Sequence, residues 1–481
     1  MLPHHPRKKL RHLLHRFAAV EGQVAQLHQR LDTLGAALAA AHDTVNRSLD
    51  EIHARGHRGE AVTDQRFTEL RDSVHLAARR GTLQRPRTRA LFLVHHIEAW
   101  DGCHGLVEAM RAAEDFEPIV ATIPRRFPGA SRFEQEEEVH RGLDARGVPH
   151  LRLTAHEHDE ALRLIKAIDP DLVVRQAQWD ADIPADLATD RLTFARLCLL
   201  PYETMNLVQN VPDERGANSA VDSAYHRAAW VVFCANERMA AMARRDGARA
   251  GTQFRVTGHP KADRLRSAAP FWPIASWESA PGRRIVWSAH HSIGRGWSDF
   301  GTFPLIADDM LAWAASQPEV QFVFMPHPAL LTFPSSTHSP VSREEFDGWL
   351  ERWQQLPNTA LFTDGDYAPL LAASDVLITD GLSMLIEYQV LGKPLVFVER
   401  EGHRPFNEIG EQALTGVHTA GSVPEAQALA RRFLAGHADP LRERQAANVA
   451  DLFGPAGSAE RILSSLRELI AEERARDGAA C

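Results

Sequence analysis

The sequence predicts an α/β protein with two Rossmann-like halves that face a cleft, preceded by a helical N-terminal segment. From residue 90 onward, short apolar runs alternate with amphipathic stretches, which is typical of doubly wound parallel sheets. A stretch without clear periodicity, residues 266–283, divides this region into two parts. Before residue 80, apolar residues instead follow the spacing of a coiled coil. We therefore expect three domains: 1–80, 88–265 and 283–475.

The apolar runs predict the strands, and the 3.6-residue periodicity between them predicts the helices. In the first α/β domain the predicted strands are Ala90–Val94, Ile119–Ala121, Leu172–Val174, Leu197–Leu200, Val231–Cys234 and Phe254–Thr257, with helices at 104–114, 134–146, 157–168 and 236–245. In the second α/β domain the predicted strands are Ile285–Ser288, Gln321–Met325, Val376–Thr379 and Leu395–Val398. An amphipathic helix is predicted at Ser458–Arg474.

The N-terminal segment carries a narrow apolar seam with alternating spacings of three and four residues. Its members are Phe17, Val20, Val24, Leu27, Leu31, Leu34, Leu38, Ala41 and Val45. Such a seam needs a second helix to cover it. A hairpin packed on the main body is one alternative; a coiled-coil stalk that forms a homo-oligomer is the one we favour. The basic residues ahead of the seam, Arg7 to Arg16, indicate either contact with an anionic membrane surface or a solvated helix end.

The composition excludes several classes of protein. Of the 481 residues, 44% are hydrophobic and 24% charged, and the formal net charge is −9, so neither a disordered chain nor a nucleic-acid binder is expected. The cysteines lack zinc or disulfide-framework spacing. No apolar run approaches the ~18 residues of a membrane span, and no signal-peptide core follows the basic start. We expect a cytoplasmic protein, with peripheral contact to the inner face of the membrane left open.

The sequence predicts neither a metal nor a cofactor. It has no dinucleotide-binding G-x-G-x-x-G and no P-loop, so NAD and ATP chemistry lack support. Asp364-Gly365-Asp366 has the D-x-D form of some metal sites. We interpret it as a turn in which Asp366 caps the following helix.

One β-α-β unit of the second domain forms the best-defined candidate site. The strand Val376–Thr379 leads into an Asp380-Gly381 turn, Ser383 is predicted to cap a helix that runs to Leu391, and Gly392 ends it. The free N–H groups of such a helix start favour a phosphate. Ser383 would then donate its hydroxyl to the phosphate and Glu387 would accept from ribose hydroxyls. The alternative is that Ser383 only caps and Glu387 only stabilises the first turn.

Two other strand ends deliver polar residues toward the same crevice. His327 follows a buried strand and is held between two prolines. The strand Ile285–Ser288 leads into His290, His291 and Ser292. Imidazoles at this position would neutralise a diphosphate or donate a proton to a leaving phosphate. The residues that we expect to bind the donor are His290, Ser292, His327, Asp380, Gly381, Ser383 and Glu387.

The order of these motifs resembles the CDP-glycerol glycerophosphotransferase family, the teichoic-acid and capsule polymerases of the GT-B fold. The resemblance runs from about residue 90 to the C-terminus. The motifs that carry it are Thr379-Asp380-Gly381-Leu382-Ser383 with Gly392-Lys393-Pro394, Met325-Pro326-His327-Pro328, Gly258-His259-Pro260-Lys261-Ala262-Asp263, Ile168-Asp169-Pro170-Asp171-Leu172-Val173-Val174, His290-His291-Ser292-Ile293 and Gly301-Thr302-Phe303.

The resemblance implies a metal-independent transferase in which an acceptor hydroxyl attacks the β-phosphorus of CDP-glycerol or a related CDP-alcohol and CMP leaves. The second half would hold the donor and the first half a glycan or polyol-phosphate acceptor. His327 and Ser383 would then bind the donor phosphates, Asp380 would shape the loop, and Glu387 would lie near the ribose. His290 or His291 would assist in neutralising charge.

The first half departs from the family. The family's H-G-T-P loop is replaced here by Pro201-Tyr202-Glu203-Thr204, so the histidine that serves as the proposed base is missing. Glu203, Tyr202, or His95-His96 together with Asp101 are the candidate substitutes, and we take His291, His327 and Glu203 as the catalytic set. The alternative function is a GT-B glycosyltransferase that uses a nucleotide sugar, including a CMP-sugar. A third is a coiled-coil scaffold that carries a degenerate transferase domain.

Overall fold

A computed structural model describes residues 85–126, 132–154, 160–210, 218–274, 283–294, 296, 298–336 and 338–479, together with separate residues between 22 and 74. The chain divides into two compact units, Met1–Gln84 and Arg85–Cys481.

The described residues of the N-terminal unit are helical. The seam residues among them are exposed, from 46% for Val24 to 75% for Leu38, and Leu70 and Val74 are 62% and 56% exposed. Phe17, Val20 and Ala41 lie outside the described residues, as does the basic start. The coiled coil and the contact with a membrane therefore stay predictions.

A parallel sheet forms the first half of the larger unit. Its strands are β1 (Thr88–Val94), β2 (Phe116–Thr122), β3 (Leu151–Arg152), β4 (Leu172–Arg175), β5 (Arg196–Leu199), β6 (Val231–Cys234) and β7 (Phe254–Val256). Within the described residues their order is β3-β2-β1-β4-β5-β6-β7. The order reverses direction between β1 and β4, and this switch point opens a crevice at the carboxyl ends of the strands.

The second half repeats this arrangement. Its strands are β8 (Arg284–Ala289), β9 (Gln321–Pro326), β10 (Thr359–Leu361), β11 (Val376–Thr379), β12 (Leu395–Val398) and β13 (His418–Ala420). They are also parallel, in the order β10-β9-β8-β11-β12-β13, with a switch point between β8 and β11. The predicted α/β architecture is confirmed. The sequence does not predict the short strands β3, β10 and β13, because none of them contains a continuous apolar run.

Helices cover both faces of the two sheets. Those described lie at Asp101–Ala112, Glu136–Ala145, Glu160–Ile168, Ala224–Ala228, Glu237–Asp246, Pro260–Ser267, Phe303–Ser316, Pro328–Thr332, Arg343–Gln354, Ala368–Ala373, Met384–Glu387, Glu408–Leu414, Val423–Leu434, Arg442–Leu452 and Ser458–Ala479. Single 3₁₀ turns lie at Ile97–Ala99, Asp180–Asp182, Ala185–Leu187, Thr189–Arg191, Phe333–Ser335 and Tyr388–Leu391.

The last helix, Ser458–Ala479, returns to the first half. Its buried residues Ile462 and Leu466 pack in the same core cluster as Phe92 of β1. Arg467 also forms an ion pair with Asp115, just before β2. The predicted second domain, 283–475, includes this helix, whereas its apolar face is buried against the first sheet. Among the described residues, no helix has the length and apolar character that crossing a bilayer requires.

Candidate functional site

Asp380 organises the switch point of the second sheet. It follows β11 and is fully buried. One carboxylate oxygen accepts a hydrogen bond from the backbone N–H of His290 at 2.6 Å, and the other accepts from the backbone and the hydroxyl of Thr302. Burial outweighs these bonds and raises the pKa of Asp380 to about 6. The carboxylate therefore joins the loops after β8 and β11.

Ser292 orients the ring of His290. The Ser292 N–H donates to Nδ1 of His290 at 3.3 Å, and the two side chains are 2.7 Å apart. The Ser292 hydroxyl also accepts from the N–H groups of Phe300 and Gly301. Because Nδ1 is an acceptor, the neutral ring carries its proton on Nε2. The Ser292 hydroxyl is thus engaged within the protein, and its contact with the donor stays a prediction.

His327 has the same tautomer as His290. It follows β9 and caps the helix Pro328–Thr332, with Nδ1 accepting from the Ala329 N–H at 3.1 Å. In the neutral ring the proton is therefore on Nε2. The ring centroid of His327 is 4.2 Å from that of His291 and 5.8 Å from that of His290. The three predicted histidines form one cluster at the crevice.

The histidine cluster is electrically neutral near pH 7. Burial lowers the pKa of His327 and of His290 well below the ordinary value, and neighbouring histidines lower both further. Burial also lowers the pKa of His291, to about 4. The rings therefore act as hydrogen-bonding groups in the ligand-free protein, and a bound anion would favour their protonation.

The turn that follows β11 differs from its prediction in one respect. Gly381 lies close to the cluster, since a Cβ there would be 4.0 Å from Cδ2 of His290. Ser383 precedes the helix but has helical dihedral angles, and its side chain makes no capping bond. The helix itself is short, Met384–Glu387, and continues as the 3₁₀ turn Tyr388–Leu391. Gly392 ends it with φ +62°, as predicted.

The first half has a matching switch point. Gln176 follows β4, and its side-chain oxygen accepts from the backbone N–H groups of His95 at 3.0 Å and His96 at 3.1 Å. The two halves therefore share one feature. The side chain that follows the fourth strand of each half, Gln176 or Asp380, accepts hydrogen bonds from backbone N–H groups that follow the first strand of the same half. Burial, followed by the nearby His96, Arg175 and Arg125, lowers the pKa of His95 well below its ordinary value.

His96 and Arg125 of the first half act electrostatically on His327 of the second half. The Arg125 guanidinium lies 2.6 Å from Nδ1 of His96 and forms two hydrogen bonds with Glu98. Both His96 and Arg125 contribute to the lowered pKa of His327, so they lie close enough to act on it electrostatically. The ring of His96 also contacts that of Tyr202, with centroids 4.8 Å apart.

Acidic groups line the first-half wall beside Tyr202. Glu203 is partly exposed, and burial raises its pKa; Asp182 raises it further, while Tyr202 and Lys261 oppose the shift. Asp101 is 8% exposed, and neither of its carboxylate oxygens has a partner at hydrogen-bonding geometry. Burial raises its pKa to about 6. Carboxyl groups with raised pKa values are suited to general acid–base chemistry near neutral pH.

Glu387 lies in contact with residues of both halves. It is fully buried, and its carboxylate accepts hydrogen bonds from the hydroxyls of Tyr367 and Thr204. Lys261 lies 3.8 Å from it. These contacts connect the helix after β11 to the first half. The role of Glu387 near a ribose stays a prediction.

The Asp364-Gly365-Asp366 turn also joins the halves. Asp364 pairs with Arg146, and Asp366 pairs with Arg264, both in the first half. The helix begins at Ala368 and Asp366 does not cap it. Within the described parts of the chain, no group of three or more His, Cys, Asp or Glu residues could hold a metal ion.

Several residues of the site were missed from sequence. Gln176, Arg125 and His259 contact predicted site loops but were assigned no role, and Lys261 was noted only within a motif. Gln176 and Arg125 follow β4 and β2, so a search for polar residues after each strand end would have found them.

Comparisons with known proteins show the fold. No family model matches the chain, and no curated protein matches it in sequence. Among solved structures, MnaA of S. aureus with UDP is 14% identical, with a TM-score of 0.53, over 80% of this chain and 97% of that one. UDP-GlcNAc 2-epimerase of Neisseria meningitidis, bound to UDP-GlcNAc, is 12% identical, with a TM-score of 0.51, over 79% of this chain and 100% of that one. The wall teichoic acid polymerase TagF, soaked with CDPG, is 12% identical, with a TM-score of 0.50, over 84% and 99%. The unit Arg85–Cys481 thus has the predicted GT-B fold.

Proposed function

We propose that this protein transfers glycerol phosphate, or a related polyol phosphate, from a CDP-alcohol to an acceptor hydroxyl and releases CMP, in the synthesis of a capsule or teichoic-type polymer. The observation that carries the proposal is the cluster of His290, His291 and His327 at the switch point of the second sheet. His96 and Arg125 of the first half act on this cluster electrostatically. Crevices at such switch points are the usual ligand sites of α/β sheets.

The donor side rests on the hydrogen-bonding capacity of the cluster. His290 and His327 both carry their proton on Nε2 in the neutral form, because their Nδ1 atoms accept from backbone N–H groups. Two such donors suit the oxygens of a diphosphate, and a proton taken up by a ring would add charge assistance. In this scheme the free hydroxyl of Ser383 and the close backbone at Gly381 complete the phosphate site.

The acceptor side rests on Glu203. As the carboxylate, it accepts the proton of the acceptor hydroxyl while the hydroxyl oxygen forms a bond to the β-phosphorus. The bond between that phosphorus and the bridging oxygen breaks, and CMP leaves with the electron pair. His291 or His327 donates a hydrogen bond to the departing phosphate. The raised pKa of Glu203 makes it a stronger base than an ordinary glutamate.

A nucleotide-sugar enzyme is the second candidate. Glu203 and Asp101 support it, since both are carboxyl groups of the first half with raised pKa values. A carboxylate beside an anomeric carbon serves glycosyl transfer or proton abstraction from a sugar. In addition, two of the structures reported above contain UDP or UDP-GlcNAc.

One experiment separates these functions. The full chain is incubated in parallel with CDP-glycerol, CDP-ribitol, a CMP-sugar and UDP-GlcNAc, with a polyol-phosphate primer as acceptor, and the nucleotide products are separated by chromatography. The proposal expects CMP from a CDP-alcohol and no change in UDP-GlcNAc. Turnover of only the CMP-sugar or only UDP-GlcNAc would refute the polyol-phosphate assignment.

A further inference from the structure

The segment Gly258–Lys261, which leads into the helix Pro260–Ser267, holds the loop after β5. Nε2 of His259 lies 2.8 Å from the carbonyl oxygen of Pro201. Nδ1 of the same ring accepts from the backbone N–H of Lys261 at 3.2 Å, so the ring proton is on Nε2 and is donated to Pro201. The imidazole is 1% exposed and makes these two bonds entirely within the first half.

Lys261 holds the next residue of the same loop. Its Nζ donates to the carbonyl oxygen of Tyr202 at 3.2 Å and lies 5.4 Å from the ring centroid of Tyr367. Lys261 is 5% exposed. Burial alone would lower its pKa, but Glu387, Asp101 and Glu203 outweigh burial and raise the pKa, so the ammonium stays charged.

Glu387 extends this contact across the cleft. It belongs to the helix that follows the Asp380-Gly381 turn, and its carboxylate lies 3.8 Å from Nζ of Lys261. The same carboxylate accepts from the hydroxyl of Thr204 at 3.4 Å. The loop that carries Tyr202 and Glu203 is therefore bound at the residues on either side of Glu203, partly by the first half and partly by the second.

The later part of the loop after β5, residues 206–208, is also bound to the second half. The side-chain amide of Asn407 donates to the carbonyl oxygens of Asn206 and Val208, and the Asn407 N–H donates to Leu207. Gly410 allows this approach, because a Cβ there would lie 2.1 Å from the Leu207 oxygen. The loop is therefore bound by both halves.

We infer that Lys261, held by Glu387, is a positioning residue that fixes the loop Pro201–Thr204 so that Glu203 faces the donor when the two halves are closed. This inference rests on the function proposed above and adds to it the residues that couple the donor half to the base. His259 supports the same loop from within the first half. Separation of the halves would remove the Glu387 contacts and release Glu203 from its position.

Charge gives Lys261 a second effect on Glu203. The groups that act on the Glu203 carboxyl are Tyr202, Asp182 and Lys261. Asp182 raises the pKa of Glu203, while Tyr202 and Lys261 lower it. Removal of the ammonium would therefore raise the pKa of Glu203 and shift the acid limb of a pH–rate profile toward higher pH. A residue that only stabilised the fold would not cause this shift.

Hydrogen exchange tests the contacts without any substrate. We expect Lys261→Met to lower the protection of the backbone amides of residues 202–207 by roughly tenfold, the equivalent of one charge-assisted hydrogen bond, with Glu387→Gln giving a smaller loss. Lys393→Met is the matched control, because Lys393 is another part-buried lysine whose Nζ donates to carbonyl oxygens, those of Ala372 and Ser374, both at 2.6 Å. Unchanged protection of 202–207 in both Lys261→Met and Glu387→Gln would overturn the inference.

Kinetics test the positioning role itself. With CDP-glycerol as the donor, we expect Lys261→Met to lower kcat by roughly tenfold or more while KM changes little. The acid limb of its pH–rate profile should move to higher pH. A raised KM with unchanged kcat would overturn the inference. If the wild-type chain releases no CMP, the proposed function fails, and the exchange experiment alone still decides whether Lys261 and Glu387 hold the loop.

Discussion

Replacement of His327 by asparagine separates its two contacts. Nδ1 of His327 caps the helix Pro328–Thr332 through the Ala329 N–H, and an asparagine oxygen is an equally good cap. Nε2, which carries the proton, has no counterpart in asparagine. The substitution therefore keeps the local fold and removes the group that we propose as a phosphate ligand.

The expected loss of CDP affinity follows from the strength of one hydrogen bond, from Nε2 of His327 to the phosphate. A hydrogen bond to a charged group contributes about 1.5–3 kcal/mol, which corresponds to roughly 10- to 150-fold weaker binding of CDP. The same variant should unfold with a free energy within about 1 kcal/mol of the wild type, since the cap is retained. His327→Ala, which loses both contacts, should bind as weakly as His327→Asn and be less stable.

Isothermal titration calorimetry with CDP at several pH values measures the loss of CDP affinity and shows whether protonation of His327 causes it. Because burial lowers the pKa of His327 in the free protein and a diphosphate would raise it, the complex binds more protons than the free protein does. The affinity of the wild type for CDP should therefore rise as the pH falls from 8 to 6, and His327→Asn should weaken this dependence. Equal CDP affinity in wild type and His327→Asn, at every pH, would refute the reasoning.

Four further predictions concern the supporting structure. Asp380→Asn turns an amide N–H toward backbone donors and should lower the free energy of unfolding, measured in urea, by roughly 1–3 kcal/mol; wild-type stability would contradict this. His226, whose pKa burial lowers to about 4, is neutral when folded, so it costs up to ~3 kcal/mol of stability as the pH falls from 6.5 to 4, and His226→Gln should show a shallower loss in thermal unfolding over that range. Arg264→Ala removes the ion pair with Asp366, whose side chains are 34% and 27% exposed, so the free energy of unfolding in urea should fall by less than ~1 kcal/mol. A larger loss would contradict a weak surface contact. Leu31→Asp combined with Leu38→Asp should convert a self-associating chain into a monomer in sedimentation analysis, whereas a monomeric wild type would exclude the coiled-coil stalk.

The sequence predicts the central strands and strand ends well because burial leaves a clear local pattern. Val231–Cys234, Val376–Thr379 and Leu395–Val398 have the bounds expected from their apolar runs. Such strands are buried on both faces and read as continuous apolar stretches. The convergence of His290, His291 and His327 likewise follows from parallel strands, whose carboxyl ends lie at one edge of each sheet.

The parts that sequence did not predict depend on partners far away in the chain. Glu387 has the spacing of a residue one turn into a helix, but its contact with Thr204 spans 183 positions, and no local pattern encodes it. Ser292 bonds to the backbone N–H groups of Phe300 and Gly301, and these lie eight and nine residues further along the chain, beyond the reach of a local pattern. The edge strand His418–Ala420 was missed because three residues carry too little periodicity.

The crystal structure of the full chain with CDP bound tests the central claim most directly. The proposed site requires the diphosphate at the carboxyl ends of β8, β9 and β11, with a phosphate oxygen roughly 2.7–3.2 Å from Nε2 of His327 and with Glu203 on the opposite wall, facing the β-phosphorus. A nucleotide bound away from the histidine cluster, with His327 out of contact, would mean that the second half does not hold the donor in the manner described.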